Sequence, residues 1–254
     1  MHLPDLRQRV FAEAAREAAE LRTVATTEIT PSRRDFVMFV STQRRGIAIV
    51  PRFRRLGPLA GGAGADADAA AVARRWDDAE APAIAVSTSA VYGGSRQDLR
   101  VISDAVSAPV FCEDPCLTDQ QVYLARLHGA DAVLLPAGHL EPVALAALVK
   151  LAASMHMAAI VEVAGTGELA ATERVAPACV AISAPRPDGR LDVEAAVALA
   201  KRLTSRRTVL LLDEIESTSE LAPLEGLVDA SVCGAPAFAA PDEAALAALF
   251  ASGQ

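Results

Sequence analysis

Short apolar runs alternate with longer amphipathic segments along most of the chain. Each run is rich in Val, Ile, Leu or Ala and too apolar to leave one strand face in water, which is typical of parallel sheets. The runs are GIAIV (46–50), PAIAV (82–86), PVFC (109–112), AVLLP (132–136), AAIVE (158–162), CVAIS (179–183), TVLLL (208–212) and ASVCG (230–234). The pattern predicts eight buried strands.

The segments that follow these runs have helical spacing, and several begin after a Ser, Thr or Asp that can cap a helix. They are DAAAVARRWDDA, SRQDLRVISDAV, TDQQVYLARLHG, EPVALAALVKLAASM, TGELAATERV, LDVEAAVALAKRL, STSELAPLEGL and PDEAALAALFAS. Eight strand–helix units predict an α/β fold, a (β/α)8 TIM barrel, with an extra N-terminal helix over residues 4–22. An open doubly wound sheet is the alternative, and eight regular units are many for that class.

The length and composition fit a single barrel. A chain of 254 residues that is 52% hydrophobic can bury one large core. We therefore expect one domain over residues 1–254, with a helical extension at 1–45 and the barrel at 46–254. The Gly/Ala-rich segment 57–71 follows the first strand, which predicts a flexible loop at the mouth where barrel active sites form.

Charge and cysteine usage narrow the possible partners. The net charge is −8 and the pI about 5.1, which favours neither nucleic acid nor an anionic membrane. No apolar run has the length of a signal peptide or a membrane span, so we expect a cytoplasmic protein. The four cysteines lack histidines at ligand spacing, so we expect buried thiols, no metal and no cofactor; a reactive Cys116 at the mouth is the alternative.

The segment 91–137, VYGGSRQDLRVISDAVSAPVFCEDPCLTDQQVYLARLHGADAVLLPA, carries a specific pattern. It resembles the indole-3-glycerol-phosphate synthase family, which reads Y-F-G-G-S, D-L, P-V-L-R-K-D-F and Q-I-Y-E-A-R-x-x-G-A-D-A-I-L-L. The matching residues are Tyr92, Gly93, Gly94, Ser95, Asp98, Leu99, Asp114, Gln121, Tyr123, Ala125, Arg126, Gly129, Ala130 and Asp131. The likeness continues more weakly over residues 46–250.

The resemblance implies a chemistry as well as a fold. The family closes the ring of an anilino-deoxyribulose phosphate with loss of carbon dioxide. A lysine acts as general acid, a second lysine and glutamates assist, and loops after the late strands hold the phosphate. Such a reaction needs a cation to activate a carbonyl and a proton donor with a suitable pKa.

The chain departs from this pattern on its first strand. The family motif I-A-E-V-K-R-x-S-P-S falls on residues 47–56, which puts Ile49 and Pro51 where the resemblance implies glutamate and lysine and keeps Arg52. The chain's two lysines, Lys150 and Lys201, lie in amphipathic helical patterns, where a solvated face is expected.

At three other positions of the family pattern this chain has a glutamate, which matches the family at two of them and replaces a lysine at the third. Glu113, followed by Asp114, stands where the resemblance implies the general-acid lysine of the third strand. Glu162 matches the glutamate of V-E-V-H and Glu214 that of S-E-S-G. Because barrel strands end at the catalytic face, these four are the candidate catalytic residues, with structural ion pairs as the alternative role.

The candidate ligand-binding residues are Arg52, Arg54, Ser95, Ser183, Arg186 and Gly234. Ser183 lies where the family's N-N-R begins, Arg186 is one place beyond the strict match, and Gly234 is kept after the eighth strand. The pattern favours a helix N-cap as the role of Ser95, with ligand contact as the alternative, and the arginines have a solvated patch as their alternative. Glu216 in the seventh loop would repel a phosphate. His139 lies on the same predicted face.

Two hypotheses follow for the function. The chain is either an enzyme of altered chemistry acting on a small aromatic or phosphorylated ligand, or a non-catalytic relative that serves in binding or partner contact. Ordinary synthase activity is a third possibility that requires a substitute for lysine. An open pocket with acids of raised pKa would favour the first, and a plugged mouth the second.

Overall fold

The computed structural model describes residues 3–41, 46–57, 61–186, 190–203 and 208–251. Eight parallel strands close into a barrel in which each strand pairs with its neighbours in sequence and β1 pairs with β8. The strands are β1 (Ala48–Phe53), β2 (Ile84–Val86), β3 (Val110–Pro115), β4 (Ala132–Pro136), β5 (Ala158–Val163), β6 (Cys179–Ile182), β7 (Thr208–Leu211) and β8 (Ala230–Cys233). The predicted (β/α)8 barrel is confirmed, and the open sheet is excluded by the β1–β8 pairing.

Two helices precede the first strand and cover the ends of the barrel, and the others follow strands around its outside. They are α1 (Leu3–Glu20), α2 (Phe36–Ser41), α3 (Ala69–Asp78), α4 (Arg96–Ala105), α5 (Asp119–Leu127), α6 (Pro142–Ser154), α7 (Leu169–Val175), α8 (Val193–Ala200), α9 (Ala235–Ala239) and α10 (Glu243–Ala251). The extra N-terminal helix is confirmed as α1. The segment after β7 forms a 3₁₀ helix, Thr218–Leu224, because Pro223 inside it lacks the N–H that an α-helix would use.

Alternate residues of each strand pack into two separate layers. One hydrophobic cluster fills the barrel interior, with Ala48, Val50 and Phe111 among its members, while Ile49 belongs to the cluster between the sheet and the helices. Because strand side chains alternate between faces, the inner row of β1 continues through Arg52. The polar end of the interior therefore lies at the carboxyl ends of the strands.

The two ends of the barrel are covered by different helices. At the amino ends of the strands, Phe36 and Val40 of α2 join the interior cluster. At the carboxyl ends, α1 packs against β3 and the short turn Ala90–Tyr92. A small cluster of Leu6, Val10 and Tyr92, separate from both main clusters, lies beneath α1.

The loop after β1 turns back onto the barrel. Residues 58–60 of the predicted flexible segment lie outside the described residues. The carbonyl of Gly61 lies so close to Gly57 and Gly234 that an added Cβ would stand 2.4 Å and 2.8 Å from its oxygen. In the part of the chain that the structure describes, no helix is long and apolar enough to cross a membrane.

Candidate functional site

A cavity of about 550 Å³ opens at the carboxyl ends of the strands. This is the face at which (β/α)8 barrels carry their ligand sites. Its lining comes from seven of the strands or their following loops and from α1. The lining residues are Arg7, Gln8, Val10, Phe11, Arg52, Arg54, Tyr92, Glu113, Asp114, Pro115, Leu134, His139, Glu162, Pro185, Arg186, Leu212, Asp213 and Glu214.

A buried ion-pair cluster forms the floor of this cavity. Arg52, only 2% exposed, donates from Nε to Glu113 Oε2 at 2.6 Å and from Nη1 to Glu214 Oε1 at 2.7 Å. Its Nη2 donates to the carbonyl of Leu212 at 2.6 Å. All three nitrogens of the Arg52 guanidinium therefore donate a hydrogen bond, as a buried charge requires.

Arg54 completes the cluster from the next inward position of the chain. Its Nε donates to Glu113 Oε1 at 2.7 Å, and its Nη1 lies 3.7 Å from Glu214 Oε1. Its guanidinium carbon lies 4.1 Å from the centre of the Tyr92 ring, a cation–π contact. Two arginines thus face two glutamates, and the floor is electrically balanced.

The charges of Arg52 and Glu113 are fixed near neutral pH. Burial favours the neutral form of Glu113, but the attraction of Arg52 and Arg54 is stronger and lowers the pKa of that carboxyl. Burial likewise opposes the charge on Arg52, yet Glu113 and Glu214 raise its pKa above the usual value. Neither group exchanges a proton readily.

Glu162 lies on the opposite side of the cavity and is paired with α1. The Nη2 of Arg7 donates to Glu162 Oε1, and the Nη1 of Arg7 donates to Ser183 Oγ at 2.8 Å. The Ser183 hydroxyl donates in turn to Asp213 Oδ1 at 3.1 Å, and Asp213 also accepts the N–H of Ala184. Burial raises the pKa of Asp213 to about 6.

Asp114 anchors the loop after β2. It accepts the hydroxyl of Ser87 at 3.0 Å and the backbone N–H groups of Thr88 and Ser89. Burial, and then the negative charge of Glu113, raise the pKa of Asp114 to about 6 despite these hydrogen bonds. The four candidate catalytic residues thus all reach the cavity, and their catalytic role stays a prediction.

The candidate ligand-binding residues divide into two groups. Arg52, Arg54 and the exposed Arg186 line the cavity. The other three, Ser95, Ser183 and Gly234, make contacts within the protein.

Ser95 caps α4 in a capping box with Asp98. Ser183 is fully buried beneath Arg7, and the N–H of Gly234 donates to Glu214 Oε2 at 3.1 Å. These contacts are structural, and a ligand role for the three residues stays a prediction.

The register of β1 corrects the residue-by-residue match. Ile49 faces the helix layer, and Pro51 is two residues further along the same face, whereas Val50 packs inside the barrel and Arg52 follows on the inner face. The resemblance implies that the family's glutamate and lysine enter the active site, which outward-facing residues cannot do. With a shift of one residue, the resemblance implies that the glutamate and lysine positions correspond to the inward-facing Val50 and Arg52.

The remaining candidates are placed as follows. Lys150 on α6 and Lys201 just after α8 are both exposed, away from the cavity lining. His139 stacks on Phe11 of α1, with ring centres 3.9 Å apart and planes at 8°. Cys116 is buried, and burial raises the pKa of its thiol to about 12, which opposes the reactive-thiol alternative.

Sequence reasoning missed Arg7, Phe11 and Asp213. Asp213 had a usable signal, because it directly follows the apolar run TVLLL and precedes Glu214. Arg7 and Phe11 had none, since nothing in an amphipathic helix indicates which distant strand ends it will cover. Among the described residues, no group of three or more His, Cys, Asp or Glu side chains is arranged to hold a metal ion.

Comparison with solved structures defines the class first. The crystal structure of KGPDC from Streptococcus mutans superposes with a TM-score of 0.61 over 80% of this chain and 95% of that one, at 14% identity. A 3-hexulose-6-phosphate synthase superposes with a TM-score of 0.59 over 82% of this chain and all of the other, also at 14% identity. At such identities the likeness shows the fold alone: the protein is a (β/α)8 barrel with a cavity at the carboxyl ends of its strands.

Sequence comparison then gives the family. The family profile described as indole-3-glycerol phosphate synthase matches residues 3–245, and the chain belongs to that family. It is 35% identical over 139 residues to the indole-3-glycerol phosphate synthase of Mycobacteroides abscessus, covering 54% of this chain and 50% of that one. It is 32% identical over 140 residues to that of Micrococcus luteus, covering 54% and 52%. The chain thus spans about half the length of the curated relatives it matches.

Proposed function

We propose that this chain binds a small aromatic molecule in the mouth cavity and has lost the decarboxylating ring closure of its family. The observation that carries the proposal is the position of Glu113. It stands where the resemblance implies the general-acid lysine, and Arg52 and Arg54 hold both of its carboxylate oxygens.

The ion-pair cluster supplies charge without supplying a proton. General acid catalysis needs a donor whose pKa lies near the working pH. The raised pKa of Arg52 keeps its proton in place, and the lowered pKa of Glu113 keeps this group a carboxylate. Because Lys150 and Lys201 both lie on the outer surface, neither lysine ammonium group can take over the proton transfer at the mouth.

The loops that hold the phosphate in the family offer little to an anion in this chain. The N–H of Gly234 already donates to Glu214, and the Gly61 carbonyl packs against the same glycine. Glu216 adds an exposed carboxylate in the loop after β7. These contacts support an aromatic ligand over a phosphorylated one.

The cavity wall suits a flat ring. Phe11, His139 and Tyr92 contribute aromatic faces, and Leu134 and Leu212 contribute apolar surface. A cavity of about 550 Å³ is within the range that small-molecule sites occupy. The open mouth therefore supports ligand binding over a silent relative used only for partner contact.

A second candidate function is an enzyme that transfers protons with carboxyl groups. Asp114 and Asp213 both line the cavity, and burial raises the pKa of each to about 6. Such groups are partly protonated near neutral pH and can act as acid or base.

The test combines turnover with binding. Fluorescence assays with the anilino-deoxyribulose phosphate, run beside an active synthase, should detect no indole-3-glycerol phosphate. Indole and anthranilate should raise the melting temperature of the protein. The rise should shrink in Phe11→Ala and persist in Phe39→Ala, a matched phenylalanine on α2 at the other end of the barrel.

Each outcome decides between the two candidate functions. Formation of indole-3-glycerol phosphate would overturn the proposed loss of activity. A melting temperature unmoved by every aromatic compound would overturn the proposed binding. If mass spectrometry finds any other product, and Asp213→Asn abolishes it while retaining binding, the second candidate replaces the first.

A further inference from the structure

Helix α1 forms one wall of the cavity but is held apart from the two main hydrophobic clusters. Its buried side chains are Leu6 and Val10, which form a small cluster with Tyr92, and Ala14. Elements with few buried apolar contacts are the ones that open at low free-energy cost. Helix α1 is therefore attached weakly, as expected of a segment that opens as a lid.

Apart from the stacking of Phe11 on His139, the rest of the attachment is polar and lies at the rim. Glu13 accepts the N–H of Ala90 at 3.0 Å and the hydroxyl of Ser89. Gln121 donates from Nε2 to the carbonyl of Ala14 at 2.9 Å and to Glu17 at 3.0 Å. These bonds can be exchanged for water when the helix moves away.

Arg7 is the side chain of α1 that penetrates the mouth. Its two Nη groups donate to Glu162 and Ser183, and Asp213 attracts it from behind Ser183. Each barrel group that it meets there is an acceptor. The side chain keeps 36% of its surface exposed, so it fills this place without being sealed in.

The charges of the lining explain why a cation belongs there. The lining holds four arginines and five carboxyl groups, and Arg7 is the arginine that comes from outside the barrel. With α1 lifted, three arginines would face five carboxyl groups. Arg52 and Arg54 balance Glu113 and Glu214. Of the three remaining carboxyl groups, Asp114 and Asp213 accept backbone N–H groups of the barrel, whereas Glu162 is paired with Arg7 of α1.

We infer that α1 is a lid whose Arg7 occupies a subsite for a cationic group, and that the ligand carries an amine or guanidine which replaces Arg7 on Glu162. This inference rests on the proposed ligand binding at the mouth and adds a charge to the aromatic ligand proposed there. Binding would then break the ion pair between Arg7 and Glu162 and weaken the docking of α1, while Phe11, stacked on His139, remains part of the aromatic wall.

The experiment uses methylguanidinium as the probe, titrated calorimetrically against a matched concentration of potassium chloride. Arg7→Ala should bind the probe at least tenfold more tightly than the wild type, because the subsite is no longer filled. Glu162→Gln in the Arg7→Ala background should remove the gain. Arg16→Ala, an exposed arginine on the same helix, should behave as the wild type.

Hydrogen–deuterium exchange follows the lid itself. Exchange of the α1 amides should accelerate at least tenfold in Arg7→Ala, and in the wild type on saturation with methylguanidinium, while the barrel strands stay protected. Arg7→Ala without a gain in affinity, a gain that survives Glu162→Gln, or unchanged exchange in α1 would overturn the inference.

The outcome separates this inference from the proposed function. Aromatic compounds that bind without any gain for methylguanidinium would refute the cationic subsite alone. Methylguanidinium binding to Arg7→Ala, with no aromatic compound binding to the wild type, would refute the aromatic ligand and keep the subsite.

Discussion

Arg52 and Glu113, on neighbouring sides of the barrel mouth, are joined by a hydrogen bond of 2.6 Å between two almost fully buried charges. The pair occupies two positions where the family resemblance implies lysines. The pair makes this part of the floor a fixed and charge-balanced contact, which supports the proposed loss of proton transfer.

Replacing Arg52 should therefore lower the free energy of unfolding. In Arg52→Met, Glu113 and Glu214 lose a partner, and a buried charge left without its partner costs about 3–5 kcal/mol. Urea unfolding followed by circular dichroism measures this loss. Arg174→Met, an exposed arginine on α7, should change the free energy of unfolding by less than about 0.5 kcal/mol. Equal losses in the two variants would contradict the buried role of Arg52.

The stability of the protein should depend on pH through Asp213. Its pKa rises from 3.8 to about 6 on folding, so the folded state holds the proton more tightly than the unfolded chain. Its contribution is complete below about pH 4 and is lost as the pH rises through about 6. Between pH 4 and pH 7.5, the wild type should therefore lose up to about 3 kcal/mol of unfolding free energy relative to Asp213→Asn, which has no proton to lose at this position.

The control for this titration is the exposed Asp119→Asn at the start of α5. Unfolding free energies at several pH values give the comparison. A gap between Asp213→Asn and the wild type that stays constant with pH would show that Asp213 is not a buried acid of raised pKa.

Gly94, in the loop that matches the family's G-G-S, should not tolerate a larger residue. An added Cβ at Gly94 would stand 2.3 Å from the carbonyl oxygen of Ser87, a backbone atom that cannot rotate away. Gly94→Ala should therefore cost about 1–3 kcal/mol by overpacking. At Gly165 nothing lies within 4 Å of the added atom, and Gly165→Ala should be neutral or slightly stabilising. Thermal unfolding of both variants provides the measurement, and a similar loss in both would refute the steric reason.

The cysteine thiols should not react with thiol reagents in the folded protein. All four are buried, and burial raises the pKa of the Cys116 and Cys233 thiols to about 12. Ellman's reagent at pH 8 should therefore label almost no thiol within minutes, and four thiols per chain after denaturation. Rapid labelling of one cysteine in the native protein would revive the alternative of a reactive thiol near the mouth.

The barrel was predictable from sequence because its signal is repeated. Eight short apolar runs, each followed by a helical segment, leave few other architectures. The assignment of single residues on β1 was wrong. The motif match put Ile49 and Pro51 at inward positions, which Val50 and Arg52 hold in the structure. One residue of slip inverts the two faces of a strand, and an apolar run that is buried on both faces cannot reveal it.

The composition of the mouth was predictable only in part. Glu113 and Glu162 lie near the carboxyl ends of β3 and β5, Glu214 follows β7, and all three were expected at this face. Their partners were harder to foresee, because a pair such as Arg7 and Glu162 joins residues separated by 155 positions. Local spacing carries no information about such a contact.

The docking of α1 also orders the steps by which the site can form. Arg7 belongs to the first helix, yet its partners lie on β5 and directly after β6. During synthesis, Tyr92 and Gln121 emerge before these partners, so the apolar and rim contacts of α1 are available first. Arg7 must wait without its partners until β5 and β6 have emerged and joined the sheet. The mouth is thus among the last parts of the molecule to close, and mutations that weaken α1 should delay assembly of the binding cavity while the barrel beneath it folds at its usual rate.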